Sequence, residues 1–106
     1  MKEGWANLMK GIEGVGGKLY LTEDHLIHKS HAINIQTGEV HIPLLEIEDV
    51  SFYNNKLLFF TIKNGLKVTT ANQRVYKFVI NKRDAWKREI EEQIDVLKKT
   101  KHADLL

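Results

Sequence analysis

Between Gly16 and Ser30 the chain is written to fold back on itself. Leu19 and Leu21 fall on one side of an extended segment, because side chains in a strand alternate with period two. Thr22-Glu23-Asp24 is short and polar, and Leu26 and Ile27 restart the apolar pattern beyond it. A connection that short joins antiparallel neighbours. Gly16 and Gly17 let the backbone enter the first segment from another direction at little steric cost. The pattern predicts a β-rich domain built on this hairpin.

The segments after it continue the theme. Ile33 and Ile35 alternate with Ala32 and Asn34, Gln36-Thr37-Gly38-Glu39 reads as a turn, and Val40 and Ile42 alternate with Glu39 and His41. Pro43 has no amide hydrogen to give a ladder, so its strand should end there or lie on an edge. Leu44 to Asp49 has room for one helical turn. Val50 and Phe52 share a face of the next strand, and Asn54-Asn55-Lys56 carries turn chemistry. Leu57 to Ile62 is a continuous apolar run, and Lys63-Asn64-Gly65 supplies an Asn-Gly tight-turn signal. Leu66, Val68 and Thr70 then alternate with Lys67 and Thr69, Ala71-Asn72-Gln73 turns, and Tyr76, Phe78 and Ile80 share one strand face. Met1 to Val15 admits two readings: a strand around Trp5–Lys10 with the glycines as a loop, or a helix on the Trp5, Leu8, Met9, Ile12 spacing.

At Asn81 the period changes. Trp86, Ile90, Ile94 and Leu97 recur at helical spacing, with Asn81 as the predicted N-cap and Asp84 three residues on. Lysines 98, 99 and 101 suit the negative C-terminal end. A single helix after many strands must cover its apolar stripe with the sheet's core. One domain over residues 1–106 is predicted, with its core at about 6–98 and a frayed tail at 99–106.

The totals exclude several classes. At 106 residues, with 42% hydrophobic and 28% charged residues, the chain has the composition of a folded domain. There is no cysteine, hence no disulfide, thiolate metal site or cysteine nucleophile; this fits a cytoplasmic setting. A net charge of +2 gives no global pull toward nucleic acid, and Tyr20, Tyr53 and Tyr76 do not line up with a basic stripe, so no nucleic acid is expected. No Gly-x-Ser-x-Gly elbow or phosphate loop is present, and Glu46, Glu48 and Asp49 sit in a charged segment without sign of burial. No catalytic residue, and no enzyme, is predicted. His25, His28 and His31 invite a metal reading. Residues three apart in a strand face opposite ways, however, so exposed, unliganded histidines, no metal and no cofactor are expected.

Several motifs in series resemble the GRAM domain, a pleckstrin-homology-like family, in its small stand-alone bacterial form. They are Gly17-Lys18-Leu19-Tyr20-Leu21-Thr22, then Leu26-Ile27-His28-Lys29-Ser30-His31, Asn34-Ile35-Gln36, Ile42-Pro43-Leu44 and Ile47-Glu48-Asp49-Val50, then Asn64 to Thr69, Tyr76 to Val79, and Trp86. The resemblance covers roughly Ala6 to Ile94. It implies a mainly β fold: a split barrel of about seven antiparallel strands capped by one C-terminal α-helix. His28 departs from it, standing where the family has a large apolar residue, and Lys63 stands where a proline is frequent.

The resemblance also implies a non-catalytic binding module for membrane lipid or protein. The expected partner is an anionic membrane lipid at the inner face of the membrane, with Lys10, Lys18 and Lys29 near the first hairpin as headgroup ligands. The alternative partner is a protein, or a second copy making a homodimer through a free sheet edge. Lys56-Leu57-Leu58-Phe59-Phe60-Thr61-Ile62-Lys63 offers a further contact, with Phe59 and Phe60 inserting into a bilayer while Lys56 and Lys63 meet headgroups. The competing reading, a core strand between two turns, is the one the sequence favours.

Overall fold

The computed structural model describes residues 1–31 and 38–105 of the chain. Seven strands form one antiparallel sheet: β1 (Lys2–Lys10), β2 (Glu13–Leu21), β3 (His25–Ser30), β4 (Glu39–Pro43), β5 (Ile47–Leu57), β6 (Phe60–Thr70) and β7 (Val75–Ile80). A single 3-10 turn (Leu44–Glu46) joins β4 to β5, and one helix, α1 (Arg83–Leu105), follows β7. Spatial order is β4-β3-β2-β1-β7-β6-β5. The sheet curls into a half-barrel, and the apolar face of α1 closes it.

β1 joins the two halves. It pairs with β2 from Lys2–Leu21 to Lys10–Glu13, and with β7 from Ala6 to Met9. Alternation sends Ala6 and Leu8 inward with Leu19, Leu21, Leu26, Ile42, Leu66, Val68, Phe78 and Ile80. Trp86, Ile90 and Ile94 descend onto them from α1, so the predicted helical stripe is the buried one. Lys2 Nζ reaches Glu89 and lies 5.2 Å from the Trp86 ring centre, tying the start of β1 to the helix. Gln93 Nε2 donates to Glu23 O at 2.8 Å, tying the helix to the β2–β3 turn. That turn is Thr22-Glu23-Asp24, as predicted; Thr22 N donates to His25 O at 2.9 Å.

Four expectations are corrected. Residues 2–10 are a strand, as the first of the two readings had it and not a helix, but the glycines after it are not a loop: only Gly11 (φ 63) makes a turn, while Gly14, Gly16 and Gly17 lie within β2. They are sites of close approach: a Cβ at Gly17 would stand 2.1 Å from Lys29 O. Asn54-Asn55-Lys56 and Lys63-Asn64-Gly65 are not turns but lie inside β5 and β6. The run from Leu57 to Ile62 is not a core strand; it contains the hairpin tip, at Leu58 and Phe59. The helix begins at Arg83, so Asn81 is not its N-cap; Lys82, at φ 56, turns the chain, and Trp86 N donates to Lys82 O.

β4 is an edge strand ending at Pro43, as its missing amide hydrogen requires. The Ile33 and Ile35 alternation, and Gln36-Thr37 of the expected turn, lie outside the described residues. α1 runs to Leu105, through most of the segment expected to fray.

Candidate functional site

β6 pairs with β7 only from Gly65 to Thr69, whereas it pairs with β5 all the way to Phe60. The five residue steps from Gly65 to Phe60 therefore form a two-stranded arm, about 17 Å long at roughly 3.3 Å per residue. Its end is apolar and bare: relative exposure is 86% for Leu58, 99% for Phe59 and 70% for Phe60. Leu58 holds φ 54, a left-handed conformation that costs a residue with a Cβ about 1–2 kcal/mol. Phe60 and Ile62 share one face of the arm, by register with Leu57 and Asn55. Lys56 and Lys63 are exposed behind the tip, one on each strand. Lys56, Phe59, Phe60 and Lys63 are thus gathered on one projection.

The arm's base is braced. Between the Tyr53–Gly65 and Asn55–Ile62 pairs β6 carries one more residue than β5, a bulge that bends the ladder. Tyr53 lies across Gly65, where a Cβ would come within 2.6 Å of its ring, and its hydroxyl donates to Phe78 O at 3.2 Å. Burial pushes the Tyr53 phenol above its ordinary value. Asn55 Nδ2 donates to Asn64 Oδ1 at 2.7 Å, so the Asn-Gly pair serves a cross-strand tie. Arg83 Nη1, from the first turn of α1, donates to Tyr53 O (2.8 Å), Asn54 Oδ1 (3.1 Å) and Gly65 O (3.2 Å), and its guanidinium lies 4.5 Å from the Phe52 ring centre. Nothing in the residue types marked Arg83; its signal was only its place after the last strand.

Lys10, Lys18 and Lys29 are not gathered in this way. Lys18 and Lys29 are register partners on the outer face of the sheet. Like charges directly opposite repel, and each ammonium group sits over a different aromatic ring. Lys18 Nζ lies 4.8 Å from the Trp5 ring centre, and Lys29 Nζ lies 5.4 Å from that of Tyr20 and 3.6 Å from Glu39 Oε1. Lys10, at the end of β1, follows the inward alternation of Ala6 and Leu8.

The histidines also separate. His28 is buried, at 2% exposure, correcting the expectation that all three are exposed. Its Nε2 donates across β2 to Ala6 O at 2.9 Å, and its ring centre lies 6.1 Å from that of Phe78. It fills the place of the family's apolar residue and satisfies its polar atom on the backbone. His25 pairs with Asp24 at 2.8 Å, and His31 lies against Trp5, ring centres 6.3 Å apart. No group of three metal-ligating side chains gathers among the described residues.

A curled seven-stranded sheet closed by a C-terminal helix is the frame of pleckstrin-homology-like binding modules. The GRAM domain model matches residues 6–101, and the chain belongs to that family. Among solved structures it is similar to the C-terminal domain of an unknown protein from Leishmania infantum. The TM-score is 0.72 and the identity 18%, over 89% of this chain and 82% of that one, a likeness of fold. No curated protein matches the chain. GRAM domains are modules linked to membrane lipid or protein binding. No helix among the described residues is long and apolar enough to cross a membrane.

Proposed function

We propose that this GRAM domain docks peripherally on anionic membrane surfaces by inserting the tip of the β5–β6 arm. The observation that carries the reading is the exposure of Leu58, Phe59 and Phe60 together at the end of the arm. Each such side chain gains about 1.5–3 kcal/mol on leaving water, so the three supply roughly 5–9 kcal/mol before the cost of immobilisation. Lys56 and Lys63 then lie at the depth of the headgroups, where each adds about 1 kcal/mol on an anionic surface. Insertion dominates and charge sets preference: two lysines together favour anionic over neutral vesicles by roughly thirtyfold. Lys10, Lys18 and Lys29 are secondary in this reading, because two of them are held over aromatic rings and the third faces another way.

The protein-binding alternative needs an edge open to another strand. β4 has five residues and ends in Pro43, and β5 has register irregularities at Ile47/Asp49 and Tyr53/Asn55. Both features discourage edge pairing, which favours the membrane reading.

Co-sedimentation with phosphatidylcholine vesicles, with and without phosphatidylserine, at two salt concentrations, tests it. Phe59→Ser with Phe60→Ser should abolish binding to both vesicles. Lys56→Glu with Lys63→Glu should remove only the salt-sensitive preference for phosphatidylserine. A wild-type chain that stays in the supernatant with anionic vesicles at low salt overturns the proposal, as does a tip variant that sediments like wild type.

A further inference from the structure

A concavity lies on the outer face of the sheet, at the foot of the arm. Its volume is about 210 Å³, and Trp5, Asn7, Gly16, His31, Asn64 and Asn81 line it. Neither the fold nor the arm accounts for its composition. Trp5 is 68% exposed on the solvent side of β1, where a large apolar ring has no packing role. His31 lies across Gly16, and a Cβ at that position would come within 2.5 Å of its ring, so the glycine makes the floor. The Trp5 and His31 rings meet edge to face, at 84°. Asn7 and Asn81 make no side-chain hydrogen bond among the described residues, and Asn64 accepts one at Oδ1 while its amide hydrogens remain unused.

We infer that this cleft binds a single polyhydroxylated ring, a monosaccharide or cyclitol, with its apolar C–H groups against Trp5 and its hydroxyls bonded to the three asparagine amides and His31. Size points to one ring, since the cleft falls below the roughly 300–1,000 Å³ of sites for drug-sized ligands. Among the described residues the lining holds no lysine, arginine or carboxylate, so the charge-assisted bidentate pairing that favours a phosphate is not built into it. Two rings at right angles make a corner, not the parallel slot that a flat nucleobase occupies. Side-chain amides carry both donors and acceptors, which suits hydroxyls that do the same. Lys18 Nζ lies over the Trp5 ring, 4.8 Å from its centre. The ring can arrive free or as the headgroup of a glycolipid, the recognition chemistry being the same. The inference stands independently of membrane insertion.

Titration of the 15N-labelled protein with D-glucose, D-galactose and myo-inositol in turn tests it, read on the Trp5 indole and the asparagine side-chain amides. At least one ring should shift the Trp5, Asn7, Asn64 and Asn81 signals saturably at millimolar concentration, as suits a ligand of about twelve heavy atoms. Asn81→Ala should raise the dissociation constant about fivefold, one hydrogen bond's worth, and Trp5→Ala should abolish saturation while the buried Trp86 indole keeps its position. The Phe59→Ser, Phe60→Ser variant should bind the free ring like wild type, which separates this site from the arm. Vesicles with and without a neutral glycolipid bearing the responding ring identify the source: added co-sedimentation marks a headgroup, and none marks a soluble ring. No saturable shift with any of the three rings overturns the inference, as does binding that survives Trp5→Ala.

Discussion

Burial of His28 couples the stability of the barrel to pH. Loss of hydration holds its imidazole below the ordinary value of 6.5; the Ala6 bond works the other way, and the charges of Lys10 and His31 add to the depression. The unfolded chain therefore binds a proton at His28 more readily than the folded one. Stability from this residue is complete above 6.5 and is lost as pH falls below it toward the depressed folded value. Urea midpoints measured between about pH 7.5 and 5.5 should decline in the wild type and decline less in His28→Leu. Parallel declines would mean that His28 is not the group responsible. Asp24 and Glu39, exposed and held below their usual range chiefly by hydrogen bonds from His25 and His41, titrate in more acid solution and leave that window clear. The environment of His28 was half legible. Leu26 and His28 share a parity in the strand, which points inward; residue type points outward, and the structure follows the parity.

At the scale of elements, alternation and helical period located most of the sheet and the helix, and local turn chemistry failed most clearly at the β5–β6 hairpin. Asn64-Gly65 carries the strongest tight-turn signal in the chain, yet Gly65 serves to admit the Tyr53 ring and Asn64 to tie the strands. The turn falls instead on Leu58 and Phe59, where no turn former stands. Functional or strained sites are where such local rules are expected to break, which agrees with the insertion proposed for this tip. The arm itself could not be read because a bare apolar run and a core strand have the same composition. Leu58→Gly is the discriminating change. Removing a left-handed leucine should raise stability by about 1 kcal/mol, and it should also weaken vesicle binding by more than tenfold, since one of three inserting side chains is lost. Thermal melting and co-sedimentation read the two effects. A variant that gains stability and keeps its vesicle affinity would assign Leu58 no part in insertion.

The whole molecule divides into a closed frame and a free arm, and the helix is what closes the frame. Trp86 packs against β1, where a Cβ on Gly4 would already stand 3.3 Å from its ring, and the chain lays Ile90 and Ile94 along the same inner surface. Truncating so large a buried ring costs about 3–5 kcal/mol, a large share of the 5–15 kcal/mol typical of a domain. Trp86→Ala should therefore lower the melting temperature by well over 10 °C. The loss should be shared by amides of β1, β2 and β7, which open with the frame. Arm amides between Asn55 and Ile62 lie past the last β6–β7 pair. They exchange by local opening of a two-stranded ribbon, so their rates should be fast in the wild type and unchanged in the variant. Hydrogen exchange followed residue by residue measures both populations at once. If Trp86→Ala accelerated exchange only within α1 and left the sheet protected, the helix would be an accessory to the barrel and not its closure.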